Sequence, residues 1–291
     1  MRVEVQGLTV RYGDVTAIDD MSFSLSGNKI YGLLGRNGSG KTSLMSALAG
    51  YRRPSGTVQL DGAPVFENAA ATRQVCLVRH SADAADKGEK VVHVLEYAAA
   101  WRETWDNAYA QELADLFKIP PGTKVGELSL GQRSALGVVI GLASRSPLTM
   151  LDESHLGMDT PTRYAFYDAL LNDFMEHPRT IIISTHLIEE LSSLLEEVLI
   201  IDGGRLVLQE EADVLRSRGT EVTGNAADVD EFTAALTVLS EKSLGRTKAA
   251  MVYGTLDDDQ LIHARRLGLE LGPIALQDLF VHLTEPVGGK R

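Results

Sequence analysis

The chain has 291 residues, 44% of them hydrophobic, with a mean hydropathy of −0.04 and a formal net charge of −12. This length allows one large or two modest globular domains, and the acidic balance argues against a broad nucleic-acid-binding surface. The single cysteine, Cys76, excludes an intrachain disulfide, and no apolar run approaches the roughly 18 residues that span a bilayer. The N-terminus has no secretory h-region, and this composition is the one expected of a soluble cytosolic protein.

The first third of the chain alternates short strands with turns. Residues 2–34 alternate apolar and polar side chains and predict a β-rich lead-in that ends in a buried strand at 29–34. A helix at 43–49 follows, and residues 56–62 and 74–79 predict two further strands.

The middle of the chain alternates helices with strands. A helical pattern covers about 91–118, and a second helix at 129–144 opens with Ser129 as a predicted N-cap. There follow a strand at 147–151, a helix at 161–176, a strand at 180–184, a helix at 187–196 and a strand at 198–201. This alternation predicts an α/β fold with a parallel sheet covered on both faces.

The pattern changes beyond about residue 218 and predicts a small α+β appendage. The predicted elements are a strand at 221–223, a helix at 229–239, a strand at 249–253 and a helix at 276–283. We read the acidic triplet at 257–259 as a solvated helix start rather than a metal site. The sequence therefore predicts two domains, 1–217 and 218–291.

A complete phosphate-binding loop lies between the strand at 29–34 and the helix at 43–49. Its residues are Gly35, Arg36, Asn37, Gly38, Ser39, Gly40, Lys41 and Thr42, which match G-x-x-x-x-G-K-[ST], with Ser43 next to them. Glycines let backbone N–H groups surround phosphate oxygens, and the helix N-terminus adds a positive field. We expect Lys41 to reach the β- and γ-phosphates of ATP and the Thr42 hydroxyl to hold Mg²⁺. A chance glycine-rich turn is the alternative, which the full match disfavours.

Two acidic residues follow the buried strand at 147–151. Asp152 is suited to hold the coordination sphere of Mg²⁺, and Glu153 is suited to act as the general base for the attacking water. An Asp-Glu pair after a strand is, taken alone, more often a surface turn. Downstream of a complete phosphate-binding loop, the catalytic interpretation is favoured.

Further motifs complete a family pattern. Leu128-Ser-Leu-Gly-Gln132 is similar to the signature Leu-Ser-Gly-Gly-Gln, Leu156-Gly-Met-Asp159 to the D-loop, and His186 to the switch histidine. On these motifs, the chain resembles the nucleotide-binding subunit of an ATP-binding cassette (ABC) transporter over roughly residues 2–210. The helix at 276–283 also resembles the closing helix of subunits that serve ABC-2-type exporters.

The resemblance implies a P-loop NTPase cassette with a parallel core sheet, a β-rich N-terminal subdomain and a helical subdomain at about 81–145. It implies an ATPase that converts ATP and water to ADP and phosphate, with Lys41, Glu153 and His186 in catalysis. Tyr12 would stack on adenine. Ser129, Gly131 and Gln132 would contact ATP held by the opposite cassette of a head-to-tail homodimer or heterodimer.

The resemblance also implies the partners and the location of the chain. Integral membrane permease subunits would undergo the conformational change that ATP binding and hydrolysis drive. No nucleic-acid partner is expected. The chain would be cytoplasmic and peripheral, held at the cytoplasmic face of the membrane by its permease. Neither the substrate nor the direction of transport follows from this sequence.

The sequence departs from the family pattern at three positions. His80 stands where the Q-loop usually offers glutamine, Leu130 replaces the first signature glycine, and Ser154 replaces the usual proline. As a residue near Mg²⁺ and water, His80 either has a special role or has drifted, and the sequence leaves both open.

Two other functions compete with a transport ATPase. A non-transport ABC ATPase acting on nucleic acid or the ribosome is disfavoured by the single cassette, the acidic charge and the absence of a long heptad run. A catalytically inactive regulatory cassette is disfavoured because Lys41, Asp152, Glu153 and His186 are all present.

Overall fold

The structure is a computed structural model that describes residues 1–79 and 87–284. They divide into two compact units: the first consists of residues 1–187 and 194–209, and the second of 188–193 and the described residues from 210 onward. The domain boundary after residue 217 stays a prediction, because a division into compact units does not show which residues function together. Among the described residues, none of the helices combines the length and apolarity that a bilayer crossing requires.

The first unit begins with three consecutive strands and later alternates strands with helices, as the sequence predicts. Its strands are β1 (Arg2–Tyr12), β2 (Val15–Ser26), β3 (Ile30–Leu34), β4 (Ser55–Leu60), β5 (Ala63–Pro64), β6 (Val75–Arg79), β7 (Leu148–Asp152), β8 (Thr180–Thr185), β9 (Glu197–Asp202) and β10 (Arg205–Glu211), whose last two residues belong to the second unit. Its helices are α1 (Lys41–Leu48), α2 (Ala69–Thr72), α3 (Val91–Ala100), α4 (Asn107–Leu116), α5 (Leu130–Ala143) and α6 (Thr160–Glu176).

Two sheets organise this unit. A four-stranded sheet has the order β2-β1-β4-β5, and a six-stranded sheet has the order β10-β9-β3-β8-β7-β6. From β9 to β6 all neighbours are parallel, which confirms the predicted parallel sheet. Because the carboxyl ends of parallel strands lie at one edge, the segments that follow β3, β7 and β8 come together there.

The core of the first unit explains why these strands form. All five residues of β3 and all five of β7 are buried, as expected for apolar strands covered on both faces. One side of α1 buries Leu44, Met45 and Leu48 in the same apolar cluster as Leu33 of β3. Each such side chain contributes roughly 1.5–3 kcal/mol on burial, so α1 and the loop before it are held firmly on the sheet.

Small residues let α5 lie close to the central sheet. A β-carbon added at Gly137 would lie 2.8 Å from Val78 of β6, and one added at Gly141 would lie 2.9 Å from the same side chain. These two glycines are four residues apart and therefore share one helix face. The close approach of α5 to β6 thus depends on glycine at both positions.

The second unit is a separate α+β structure. Its elements are α7 (Ile188–Leu191), α8 (Ala212–Ser217), β11 (Gly219–Asn225), α9 (Ala226–Thr233), β12 (Thr237–Leu244), β13 (Thr247–Tyr253), α10 (Asp258–Arg266), β14 (Glu270–Pro273) and α11 (Leu276–Leu283). The strands form an antiparallel sheet in the order β12-β13-β11-β14. From β11 to β14 the order strand–helix–strand–strand–helix–strand is that of a ferredoxin-like arrangement.

Two predicted helices are wrong in their extent. The helix predicted at 187–196 is only the short α7, and residues 192–194, which include two serines, form a turn after it. The helix predicted at 229–239 ends at Thr233, and the residues after it form β12, which pairs with β13. The acidic triplet does start a helix: Asp257 is the N-cap of α10.

Candidate functional site

A cleft of about 520 Å³ lies where the segments after β3, β7 and β8 meet. Its lining residues are Ala17, Asn37, Gly38, Gly40, Lys41, Thr42, Ser43, Asp152, Glu153, Leu156 and His186. The phosphate-binding loop, both predicted acidic residues and the predicted switch histidine are thus brought to one cleft. The roles assigned to these residues remain predictions.

The loop between β3 and α1 requires glycine at particular positions. Gly38 and Gly40 have φ angles of +82° and +106°, which are favourable only for glycine. A β-carbon at Gly40 would also lie 2.5 Å from the carbonyl oxygen of Ala17. At Gly35 it would collide with the Ser39 hydroxyl, which is buried. The loop therefore holds its backbone in a narrow turn that leads directly into α1.

Lys41 is buried at the first position of α1 and points back across the loop. Its ammonium donates hydrogen bonds to the carbonyl oxygens of Gly35, at 2.7 Å, and Arg36, at 3.3 Å. Its Nζ also lies 3.7 Å from Oε1 of Glu153. The charge of Lys41 is therefore placed between the phosphate-binding loop and the carboxylate that follows β7.

Ser184 connects the two acidic residues. Its hydroxyl donates to Oδ1 of Asp152 at 2.6 Å and accepts a hydrogen bond from the Glu153 N–H at 2.9 Å. Glu153 has a φ of +50°, an uncommon conformation for a residue with a side chain. Such local strain persists only where the surroundings enforce it, and here the bond to Ser184 is one constraint.

Two histidines flank the Glu153 carboxylate. Nδ1 of His186 donates to Oε2 of Glu153 at 2.7 Å, and Nε2 of His155 lies 3.5 Å from the same oxygen. The two imidazole rings are 5.3 Å apart. His155 is buried, whereas the side chain of His186 is 47% exposed.

Ser184 and His155 lie at the site although the sequence did not predict them there. Ser184 pairs with Asp152 in the register of β7 and β8, so it could be found only once those strands were known to be neighbours. His155 directly precedes the predicted D-loop and follows Ser154, a departure from the family pattern. That departure was the available signal.

The signature residues lie outside this cleft. Ser129 is the exposed N-cap of α5 and forms a capping box with Gln132, with reciprocal hydrogen bonds of 3.1 Å. Gly131 packs so closely on the D-loop that a β-carbon there would lie 2.5 Å from the carbonyl oxygen of Gly157. Leu130, at the position of the missing signature glycine, packs over Gly157.

The D-loop leads into α6 through a well-formed cap. Asp159 is the N-cap of α6 and accepts a hydrogen bond from the Thr162 N–H at 3.0 Å. Hydrogen bonds from the side chain and backbone of Thr162 hold the pKa of Asp159 below its usual range. The carboxylate form therefore caps α6.

The remaining predicted residues are less centrally placed. Tyr12 ends β1 outside the cleft, with the guanidinium carbon of Arg52 4.1 Å from the centre of its ring. The side chain of Arg36 is exposed and its carbonyl oxygen accepts from Lys41. The predicted metal-site residue His80 lies outside the described residues.

Comparison with known proteins identifies the family. A family model described as ABC transporter matches residues 18–155. The Nod factor export ATP-binding protein I of Burkholderia orbicola (strain AU 1054) is 30% identical over 213 residues, covering 71% of this chain and 70% of that protein. The ABC transporter ATP-binding protein YtrB of Bacillus subtilis (strain 168) is 25% identical over 300 residues, covering 99% of each.

A solved structure shares the fold. It is titled as a dimeric post-hydrolysis state of the ATP-binding cassette MJ0796 bound to ADP and Pi, and it aligns with a TM-score of 0.64 at 16% identity. The alignment covers 72% of this chain and 98% of the other. Taken with the matched family model and the relative at 30% identity, the cleft and its phosphate-binding loop show that the chain belongs to the ABC transporter family, in which it is an ATP-binding subunit that hydrolyses ATP.

Proposed function

We propose that ATP hydrolysis in the cleft described above drives transport through separate membrane-spanning subunits. The observation that carries this proposal is the convergence of Lys41, Asp152, Glu153 and His186 on one cleft beside the phosphate-binding loop. An ammonium for phosphate, a carboxylate for a metal and a carboxylate for water are the groups that phosphoryl transfer to water requires.

The loop and Lys41 would bind the phosphates of ATP. Backbone N–H groups at the N-terminus of α1 suit phosphate oxygens, and the tight contacts at Gly35 and Gly40 leave no room for larger residues there. Lys41 would exchange the carbonyl oxygens of Gly35 and Arg36 for the β- and γ-phosphates. This exchange would also separate Lys41 from Glu153.

The residues present fit Mg²⁺. The Thr42 hydroxyl and the Asp152 carboxylate line the same cleft, and oxygen ligands of this kind are those that Mg²⁺ prefers. We assign these two residues to the metal, which when bound would neutralise charge on the phosphates. The bond from Ser184 would keep the Asp152 carboxylate oriented.

Glu153 would act as the general base for the attacking water, with His186 as its positioning partner. The hydrogen bond from His186 fixes one carboxylate oxygen, so the other is the oxygen available to water once Lys41 has moved to phosphate. Tyr12 is proposed to stack on adenine after Arg52 leaves its ring.

A second cassette and a permease complete the proposed assembly. Ser129 and Gly131 do not line this chain's own cleft, so we assign them to the ATP held by an opposing cassette, in a homodimer or heterodimer. The dimeric cassette with ADP and Pi and the export function named for the Burkholderia relative support this arrangement. We further propose that the chain is an exporter subunit held at the cytoplasmic face of the membrane by its permease.

The test of hydrolysis is Glu153→Gln. The amide keeps the shape of the side chain but cannot accept the proton of water, so turnover should fall on the order of 10²–10⁴-fold while ATP binding is retained. Steady-state phosphate release and equilibrium binding of a fluorescent ATP analogue measure the two properties. Parental turnover in Glu153→Gln would overturn the general-base role.

The matched control is Glu176→Gln at the exposed end of α6, which makes the same chemical change away from the cleft. It should leave both turnover and binding unchanged.

For the permease, a tagged chain should co-purify with a membrane-spanning protein from detergent-solubilised membranes. Recovery of the chain alone under conditions that preserve membrane complexes would count against that partner.

A further inference from the structure

Three side chains with metal-binding atoms meet beside the hydrolytic cleft. Among the described residues, Glu153, His155 and His186 each offer one ligand atom, and these atoms all lie within 4.8 Å of one another. The distances from Oε2 of Glu153 are 2.7 Å to Nδ1 of His186 and 3.5 Å to Nε2 of His155. Of these residues, only Glu153 and His186 have a role in the proposed hydrolysis.

The chemistry of this group favours a transition metal over Mg²⁺. Two imidazoles and one carboxylate form the three-ligand set of His₂Glu zinc sites, which leave the fourth position open. Mg²⁺ prefers oxygen ligands in octahedral geometry, which this set does not supply. With zinc–ligand bonds of roughly 2.0–2.1 Å, neighbouring ligand atoms of a tetrahedral site lie about 3.3 Å apart. The 3.5 Å between Glu153 and His155 is close to this value, whereas the 2.7 Å hydrogen bond from His186 must lengthen as the metal displaces its Nδ1 proton.

Two of the three ligands are fixed by the fold before any metal binds. The backbone of Glu153 is held by Ser184, and the turn that follows is closed by hydrogen bonds from Leu156 N–H to the Glu153 carbonyl and from Met158 N–H to the His155 carbonyl. The His155 side chain is buried, which restricts its rotamers. His186 is the exposed member of the group, and its Nδ1 lies 2.7 Å from Oε2 of Glu153.

We propose that Glu153, His155 and His186 bind a divalent transition-metal ion, of which Zn²⁺ fits best. Binding of the ion rests on the three side chains alone. Its consequence rests on the proposed function: a metal cation bound to Glu153 makes the carboxylate a weaker base, so Zn²⁺ inhibits ATP hydrolysis.

The test is direct titration of the nucleotide-free, full-length protein. Zn²⁺ binding is followed by calorimetry, and Co²⁺ is used as a spectroscopic probe because its visible absorption intensifies in tetrahedral coordination. We expect one ion per chain at this site. His155→Ala and His186→Ala should each weaken binding on the order of tenfold or more and reduce the Co²⁺ absorption.

The matched control is His93→Ala. His93 and Glu89 form an exposed His–Glu pair at 3.3 Å, so that variant removes a histidine of similar pairing without touching the proposed site. It should bind Zn²⁺ like the parent. Because His155 is buried and its loss could disturb folding, the exposed His186 provides the second variant, and thermal unfolding is measured for both.

The proposal is overturned if both folded variants bind Zn²⁺ and Co²⁺ as the parent does, or if the parent shows no stoichiometric ion. Neither result depends on ATP turnover. A protein that loses turnover in Glu153→Gln but binds no Zn²⁺ would retain the proposed ATPase mechanism and lose only the metal site.

Discussion

A single hydroxyl group, that of Ser184, orients both acidic residues of the cleft. It donates to the carboxylate of Asp152 and accepts from the backbone N–H of Glu153. Asp152 is buried, and the bond from Ser184 fixes the orientation of its carboxylate. Glu153 has a positive φ, and its backbone bond sets where its side chain emerges. The Ser184 side chain on β8 thus positions both acidic residues, Asp152 at the end of β7 and Glu153 directly after it.

Ser184→Ala tests whether this hydroxyl orients the two acidic residues. A hydrogen bond to a charged group contributes roughly 1.5–3 kcal/mol, so kcat for ATP hydrolysis should fall on the order of ten- to a hundredfold. The KM for ATP should change much less, because the phosphate-binding loop is untouched. Steady-state hydrolysis at varied Mg-ATP separates the two parameters.

The control for this prediction is Ser144→Ala. Ser144 is also buried, and its hydroxyl donates to the Gly141 carbonyl at 2.7 Å, away from the cleft. It should lower the unfolding temperature without a selective loss of kcat. Equal kcat in Ser184→Ala and the parent would mean that Asp152 and Glu153 are positioned by other contacts.

Some residues of the site could be predicted from the sequence, and others could not. The phosphate-binding loop, Asp152 and Glu153 could be located because they follow strands whose carboxyl ends share an edge. Ser184 could not, because its place opposite Asp152 depends on the register of two strands separated by a long helix. For His155, the departure at Ser154 was a signal, but its burial beside Glu153 depends on how the turn after β7 folds.

The contact between α5 and the D-loop is the main feature at the level of elements. Gly131, near the start of α5, touches the backbone of Gly157, and Leu130 covers the same glycine. Gly157 has a φ of +77°, so its own turn also requires glycine. The signature helix and the D-loop therefore hold one another in position.

Gly131→Ala tests this contact. Helix propensity alone favours alanine over glycine by about 1 kcal/mol, whereas a β-carbon 2.5 Å from the Gly157 carbonyl oxygen must displace backbone. We expect the clash to dominate and stability to fall by about 1–3 kcal/mol. Thermal and urea unfolding measure the change.

Gly122→Ala is the matched control, because a β-carbon there meets no atom within 4 Å. It should leave stability nearly unchanged. A Gly131→Ala variant as stable as the parent, or more so, would show that the D-loop yields without cost and that the contact does not hold the two elements together.

At the same scale, element boundaries were harder to predict than element order. The segment at 237–244 carries apolar residues compatible with continuing α9, and its strand conformation is set by pairing with β13. The segment at 187–196 has a helical pattern, but residues 192–194 form a turn. Tertiary pairing decides the first of these boundaries and local turn formation the second, and neither is visible in periodicity.

At the scale of the whole molecule, the two segments that we propose for ATP binding do not meet within the described residues of the chain. The phosphate-binding loop lines the cleft, whereas the capped start of α5 lies outside it and is exposed. A helix N-terminus suits phosphate, so an opposing copy could supply its α5 to this chain's ATP. Bound ATP would then hold the two cassettes together, and the dimer would be stable only while the ATP is not hydrolysed.

The last prediction separates capping from phosphate contact at Ser129, in a Glu153→Gln background. Aspartate caps a helix as well as serine does, so Ser129→Asp should keep the parental unfolding temperature, whereas Ser129→Ala should lose about 1 kcal/mol. In a dimer, however, the aspartate would face the γ-phosphate and repel it. Light scattering should therefore show that Mg-ATP dimerises the Glu153→Gln protein but not the protein that also carries Ser129→Asp. Parental dimerisation of that double variant would remove Ser129 from the nucleotide interface.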